Sequence, residues 1–149
     1  MALQEQLTAD LKEAMKSHSK RRVAELRMIK AAIKNTEIAQ GKSLDDFSVI
    51  EVLSRKAKQH RESIVEFEKA NRQDAVEKEE EELAIVLEYL PQQMSREEIE
   101  ALVRQVMAEV EARSPKDKGK LMSKLMPQLK GKADGQLVNK IVTQLLESA

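Results

Sequence analysis

The sequence predicts an all-α protein. Aromatic residues make up 2% of its 149 positions, and 35% of the positions are charged. The chain is rich in Ala, Leu, Glu, Lys, Gln and Met, which lose little conformational freedom on entering a helix. It contains four glycines and three prolines, and its apolar residues recur at helical spacing rather than in alternating runs. A hydrophobic content of 41% is ample for a packed core.

The first part of the chain is predicted to form three to four long helices. The first carries inward-facing Leu and Met residues every four positions, up to Met15, and the second ends at Gly41, which suits the left-handed residue after a helix. Residues 43–46 are expected to cap a long third helix, and Asp74 to cap the fourth. The inward-facing positions expected in these helices are Leu3, Leu7, Leu11, Val23, Leu26, Ile29, Ile33, Ile50, Leu53, Ala57, His60, Ile64, Phe67, Val76, Leu83, Leu87 and Leu90.

The sequence "LPQQMS" marks the expected division, because Pro91 disfavours helix at the residue before it. We predict an N-terminal helical region over residues 1–92 and a C-terminal three-helix domain over residues 93–149. In the second part, Ser95 and Glu98 match a capping box. Ser114 and Pro115 are expected to begin the sixth helix, and Asp134 the seventh.

Composition excludes several functional classes. The chain has no cysteine, which rules out disulfides and thiolate chemistry. No phosphate-binding glycine loop is present, and no set of metal ligands or catalytic groups is evident, so we expect no cofactor and no catalysis by the chain alone. His60 has no histidine or carboxylate three or four residues after it, which predicts a structural role. No signal peptide or membrane-length apolar run is seen, so a cytoplasmic location away from membranes is expected.

Charge is zero overall but unevenly distributed. Residues 12–34 carry eight basic side chains against two acidic ones, and residues 74–88 carry seven acidic against one basic. The acidic segment could neutralise the basic segments on either side of it, residues 12–34 and 113–140, or the three could form a patterned surface. Residues 113–140 again carry eight basic side chains against two acidic ones, a pattern that favours contact with a phosphate backbone.

A candidate nucleic-acid surface lies within "KLMPQLKGKADGQLVNKIV" and the residues before it. Three lysines at helical spacing are expected to form one stripe on the sixth helix, and the start of the last helix offers free backbone N–H groups to a phosphate. An alternative is that Gly131 and Asp134 only end and begin helices, and that the lysines form a solvated face. The candidate contacts are Lys116, Lys120, Lys124, Lys130, Lys132, Gly135, Asn139 and Lys140. The scarcity of aromatic residues argues against base stacking, so contacts to backbone and shape are expected.

The motifs "YLPQQMS", "GKLMSKLMPQLKGKADGQLVN" and "LRMIKAAIKNTEIAQGK" resemble those of the GatB/YqeY family, especially its free-standing YqeY-type members. The resemblance spans essentially the whole chain and implies a helical N-terminal region followed by a three-helix domain. It also implies kinship with the tRNA-contacting tail of the B subunit of glutamyl- and aspartyl-tRNA amidotransferase. The positions matching the family signature are Gly119, Lys120, Met122, Met126, Pro127, Lys130, Gly131, Lys132, Asp134, Gly135 and Asn139. Met122, Met126 and Pro127 are interpreted as packing and helix-ending residues.

Three functional hypotheses follow from the resemblance and the charge pattern. The first is a non-catalytic accessory module that binds tRNA. The second is a helical adaptor for a protein partner of the translation machinery, docking through the third helix or the acidic segment. The third, a carbon–nitrogen ligase with glutamine as amide donor, is a family-level label that transfers poorly, because the amidation chemistry resides in a domain this chain lacks. One departure from the family pattern is Lys118, where similar proteins often have Met.

Overall fold

A computed structural model describes residues 2–148 of the chain. Over that range the chain forms helices and no strand, which confirms the all-α prediction. None of the helices described there is both long enough and apolar enough to cross a lipid bilayer. The seven α-helices are α1 (Ala2–Lys16), α2 (Lys20–Gln40), α3 (Asp46–Lys69), α4 (Gln73–Leu87), α5 (Arg96–Val110), α6 (Lys118–Leu129) and α7 (Gly135–Glu147).

The chain divides into two compact units, with the division between Leu90 and Pro91. The first contains α1 to α4 and the second contains α5 to α7 together with a short 3₁₀ turn, Pro115–Asp117. Each unit has its own hydrophobic core. The division is two residues before the boundary suggested by sequence, within the same "LPQQMS" segment.

The core of the N-terminal unit is built from one apolar face of each helix. Fully buried side chains include Leu7, Leu26, Ile29 and Leu53. The prediction for the end of α1 is wrong, because Met15 is 48% exposed and its neighbour Ala14 is buried instead. A small residue at the end of α1 lets the chain turn closely into α2.

Helix ends in the N-terminal unit follow local chemistry. Gly41 ends α2 in the left-handed conformation, with φ of 70°, as its position predicts. Asp45 caps α3 by accepting a hydrogen bond from the Ser48 backbone N–H over 2.8 Å. The prediction for α4 is wrong by two residues: Arg72 precedes the helix, and Asp74 lies in its first turn, where it pairs with the Arg72 guanidinium.

The basic and acidic segments of the N-terminal unit face each other across α2 and α4. Arg21 pairs with Glu81, and the Arg22 guanidinium lies 2.7 Å from the Glu88 carboxylate. The basic segment, residues 12–34, and the acidic segment, residues 74–88, therefore neutralise each other in part through these two pairs. These pairs are largely exposed, so each contributes little to stability.

The C-terminal unit is a three-helix arrangement around a core of aliphatic side chains. Ser95 and Glu98 form the predicted capping box at the start of α5. The interpretation of Pro127 as a helix-ending residue is wrong: it is exposed inside α6, which continues to Leu129. Exposure allows the carbonyl left without its usual intrahelical donor to meet water. The buried core residues are Ile99, Val103, Val106, Ala112, Leu121, Leu125, Leu129, Val138, Ile141, Val142 and Leu146.

Candidate nucleic-acid interface

The candidate contact residues all lie on the surface of the C-terminal unit. Every one of the eight is exposed. They occupy the 3₁₀ turn, α6, the connection between α6 and α7, and the first half of α7. In chain order they are Lys116, Lys120, Lys124, Lys130, Lys132, Gly135, Asn139 and Lys140.

The predicted three-lysine stripe is shorter than expected. Lys116 belongs to the 3₁₀ turn rather than to α6, because Asp117 accepts hydrogen bonds from the backbone N–H groups of Arg113 and Ser114 and tightens the chain there. Lys120 and Lys124 remain one turn apart on α6. The Lys124 ammonium lies 3.3 Å from the Glu109 carboxylate of α5, an exposed pair that water and salt screen.

The connection between α6 and α7 has a fixed backbone. Gly131 is buried with φ of 76°, a conformation that favours glycine, so its role is to let α6 end and the chain turn. Its carbonyl accepts a hydrogen bond from the Gln93 side chain over 2.7 Å. The Met94 backbone N–H donates to the Lys132 carbonyl over 2.8 Å. Lys130 and Lys132 thus project from an anchored turn.

The start of α7 is already capped by a carboxylate. Asp134 accepts a hydrogen bond from the Gln136 backbone N–H over 3.1 Å. A phosphate approaching this helix end would meet that negative charge as well as the favourable helix dipole. Gly135 is exposed, and apart from its chain neighbours and the backbone of its own helix, no atom of the described residues lies within 4 Å of the position a Cβ would take. The surface at Gly135 is therefore open to a close approach.

Polar residues continue along α7. Asn139 follows Gly135 by about one turn, and Lys140 lies about 100° further round the helix. Thr143 accepts a hydrogen bond from the Lys118 ammonium over 3.2 Å. Lys118, the departure from the family pattern, is thus half-buried and holds α6 against α7 through its polar end.

The charge of the C-terminal unit is divided by helix. Residues 91–112, which include α5, contain five acidic and two basic side chains, whereas residues 113–140 carry the opposite excess. The basic excess therefore lies on α6, α7 and the turns beside them. Such a surface can neutralise phosphates, and its lack of aromatic side chains leaves backbone and shape as what it can recognise.

A buried ionisable cluster in the N-terminal unit was missed by the sequence analysis. His60 on α3 lies with Nε2 2.9 Å from a Glu25 carboxylate oxygen and with Nδ1 2.6 Å from a Glu79 carboxylate oxygen. The Lys56 ammonium is 3.5 Å from the same Glu25 oxygen. Glu82 joins the cluster beside Glu25 and His60. The partners come from α2 and α4, so a search along α3 alone could not find them; a charged Glu25 on the inward face of α2 was the available signal.

The ionisable groups of this cluster shift one another's pKa. Hydrogen bonding to Glu25, together with Glu79, raises the pKa of His60 despite its burial. Burial raises the pKa of Glu25, but the hydrogen bond to His60 and the positive charge of Lys56 outweigh it, so the net pKa is lowered. Burial and the neighbouring Glu25 raise the pKa of Glu82.

Comparison with known proteins places the chain in a family. Residues 4–146 match the model of the family described as "Yqey-like protein". A protein of Lachancea thermotolerans named "Altered inheritance of mitochondria protein 41, mitochondrial" is 41% identical over 112 residues, covering 73% of this chain and 60% of that protein. The protein of the same name in Pyrenophora tritici-repentis is 30% identical over 143 residues, covering 94% of this chain and 78% of that protein.

The chain spans about three fifths of the length of the first of these relatives. The family match covers both compact units, from within α1 to within α7. It includes the capping box of α5, the anchored turn at Gly131 and the lysine-bearing surface. This chain belongs to the YqeY-like protein family.

Proposed function

We propose that the chain is a non-catalytic accessory module that binds tRNA through the basic surface of its C-terminal unit. The observation that supports this most directly is that all eight candidate residues around α6 and α7 are exposed. The second support is the excess of basic over acidic side chains in residues 113–140. The resemblance of this segment to the tRNA-contacting tail of an amidotransferase subunit points to the same ligand.

The expected mode of binding is electrostatic. Lysines on α6 and on the anchored turn would neutralise phosphates, releasing counterions, so affinity should fall steeply as salt rises. Gly135, which has no side chain, would let the RNA backbone come close to the start of α7, and the Asn139 side chain would add a polar contact there. Binding would read the shape of the folded RNA and its backbone rather than its base sequence.

A filter-binding assay of the full chain against total tRNA at two salt concentrations tests the proposal. The triple variant in which Lys120, Lys130 and Lys132 are all changed to Glu should bind tRNA at least tenfold more weakly at low salt, and its affinity should depend less on salt. The matched control changes three exposed lysines of the N-terminal unit, Lys16, Lys58 and Lys78, to Glu; it alters net charge equally and should leave affinity within about twofold. An equal loss of tRNA affinity in both variants would show that only net charge matters. If the first variant binds tRNA as tightly as the wild type, the assignment of the site is wrong.

The adaptor hypothesis is the second candidate. It draws support from large apolar side chains exposed on the N-terminal unit, among them Met28, Ile38 and Phe47, which are 59%, 69% and 60% exposed. The acidic segment supports it less, since Glu79, Glu81 and Glu88 contact partners within the unit. A pull-down with and without ribonuclease separates the two hypotheses, because a partner held through RNA is lost on digestion and an adaptor's partner is not.

Two further parts of the proposal have direct tests. We expect the purified chain to form no glutamine-dependent amide product, and product formed by the chain alone would establish a ligase instead.

We also propose a cytoplasmic location, and cell fractionation tests it. The relatives' names assign those proteins to mitochondria, so recovery of this chain in an organelle fraction would replace the cytoplasmic proposal.

A further inference from the structure

The buried cluster of the N-terminal unit has the geometry of a metal site. Glu25, His60 and Glu82 each offer one ligand atom, and these atoms lie within 4.8 Å of one another. Ligands of a four-coordinate zinc ion, bound at about 2.0–2.2 Å, are separated by roughly 3.3–3.6 Å. Small side-chain adjustments would therefore bring all three atoms onto one ion. They come from α2, α3 and α4, so the backbone holds them on three packed helices.

A carboxylate lies at the second ring nitrogen of His60, as is usual for histidines that bind metals. Metal-binding histidines generally donate their other ring N–H to a carboxylate, which fixes the tautomer and the ring orientation. Glu79 takes that role, with its oxygen 2.6 Å from Nδ1. The His60 side chain is only 9% exposed, so the ring is held in place by burial as well. Nε2 is thereby directed toward Glu25 and Glu82.

Glu82 carries a buried oxygen without a hydrogen-bond partner. This oxygen, Oε1, is screened from solvent, and none of the residues that the structure describes donates a hydrogen bond to it. Buried carboxylate oxygens in folded proteins nearly always accept a hydrogen bond or bind a cation, because leaving them unmatched is costly. The neighbouring Glu25 carboxylate is 1% exposed, and burial together with this neighbour raises the pKa of Glu82. A cation between the two carboxylates would satisfy both.

The charges of the cluster are compatible with a divalent ion. Glu25, Glu79 and Glu82 surround His60, and the Lys56 ammonium lies 3.5 Å from Glu25. The raised pKa values of His60 and Glu82 favour a proton on each, and a divalent ion would take the place of those protons. Mixed imidazole and carboxylate ligands suit zinc and its neighbours in the first transition row, whereas magnesium and calcium prefer oxygen ligands alone.

We propose that Glu25, His60 and Glu82 bind one divalent transition-metal ion of the zinc class, with Glu79 orienting the His60 ring. This inference is independent of tRNA binding, since it rests on the N-terminal unit alone. The ion would link α2, α3 and α4 and stabilise the folded state over the unfolded one.

Calorimetric titration of the full chain with Zn²⁺ is the primary test, and Co²⁺ gives a visible spectrum for the same site. We expect one saturable ion per chain and a rise in melting temperature. His60→Gln and Glu82→Gln should weaken affinity by at least tenfold, and Glu79→Gln by roughly tenfold, the range typical of a residue that orients a ligand. Lys56→Met should tighten binding, because it removes a competing cation; a merely structural cluster would not show this gain.

Matched controls exist on the same chain. Glu80→Gln changes an exposed carboxylate on α4, and His18→Asn removes the other histidine at a position whose left-handed backbone Asn tolerates. Both should keep wild-type affinity. Absence of saturable Zn²⁺ binding, or wild-type affinity in both His60→Gln and Glu82→Gln, would overturn the proposal. If those variants unfold, nitrogen NMR of the wild-type histidine rings decides: Zn²⁺ must shift His60 Nε2, and a shift confined to His18 rejects the site.

Discussion

Gln93 and Gly131 are joined by a hydrogen bond across 38 residues of sequence. The Gln93 side-chain amide donates to the Gly131 carbonyl over 2.7 Å and to the Pro91 carbonyl over 2.9 Å. One amide group thus ties the segment that opens the C-terminal unit to the turn between α6 and α7. That turn carries Lys130 and Lys132, so the fold of the "LPQQMS" segment sets the path of the proposed contact surface.

Changing Gln93 to Ala should destabilise the C-terminal unit by about 1–2 kcal/mol, because the Gly131 carbonyl loses its donor. Gln92→Ala is the matched control, since Gln92 is its exposed neighbour and should have an effect below about 0.5 kcal/mol. Urea denaturation gives the free energies, and hydrogen exchange of residues 130–133 localises the change. Equal effects of the two variants would show that the amide bridge adds nothing.

The two glycines of the turn region should respond oppositely to alanine. Gly131→Ala forces a left-handed alanine in a buried position and should cost about 1–2 kcal/mol. Gly135→Ala lies in the first turn of α7 with open space beside it and should be neutral or stabilising by up to about 1 kcal/mol. Thermal unfolding measures both. If Gly135→Ala weakens tRNA binding while stability is kept, a close approach of RNA at that position is supported.

Asp134→Asn tests the charge at the start of α7. Asn caps a helix about as well as Asp, so stability should change by less than about 0.5 kcal/mol. Loss of a negative charge beside the proposed phosphate contact should tighten tRNA binding by several-fold at low salt and less at high salt. Filter binding at two salt concentrations provides the measurement, with Glu147→Gln at the other end of α7 as the control for net charge. If both variants gain tRNA affinity by the same factor, the effect of Asp134→Asn comes from net charge and not from the start of α7.

Tyr89 should make stability fall at alkaline pH. Its hydroxyl donates to the Asp10 carboxylate over 2.5 Å, and burial together with Asp10 raises its pKa well above the ordinary value. Because the folded pKa exceeds the unfolded one, the stabilisation is complete below about pH 10 and is lost as the pH rises above it. Urea denaturation of wild type and Tyr89→Phe is measured between about pH 8 and 11, a range that spans the ordinary tyrosine pKa of about 10. The difference between their free energies of unfolding should narrow as the pH rises.

The same substitution has a neutral-pH outcome. Tyr89→Phe removes a hydrogen bond to a charged group and should cost about 1.5–3 kcal/mol at pH 7. The Arg22 guanidinium also donates to the Tyr89 oxygen over 3.3 Å and would lose that acceptor. A difference between the two proteins that stays constant with pH would mean that Tyr89 titrates normally in the folded state.

Local sequence chemistry predicted some helix ends correctly and missed others. Gly41, Asp45 and Ser95 act through bonds to residues within a few positions, so a short stretch contains all that decides them. Asp74 was misassigned because its carboxylate binds the Arg72 guanidinium: Arg72 occupies the cap position, two residues before the predicted cap, and α4 begins at Gln73. Pro127 was misread because α6 continues for two residues beyond this exposed proline.

Contacts between helices could not be read in the same way. His60 meets Glu25 and Glu79, which are 35 and 19 residues distant in sequence. Helical spacing shows which face of α3 is inward but not what the neighbouring helices place against it. For the candidate surface, the sequence identified the residues and the Asp134 cap, which rests on a local bond. The Lys124–Glu109 pair depends on how α5 and α6 pack and could not be read from the sequence.

The anchored turn separates the path of the backbone from the chemistry of the side chains. Its course is held by Gly131, by the Met94 backbone N–H and by the Gln93 amide, none of which involves a lysine side chain. Substitutions at residues 130 and 132 therefore leave these three anchors of the backbone in place. Charge-reversal variants made there change the charge that a ligand meets while the turn keeps its anchors.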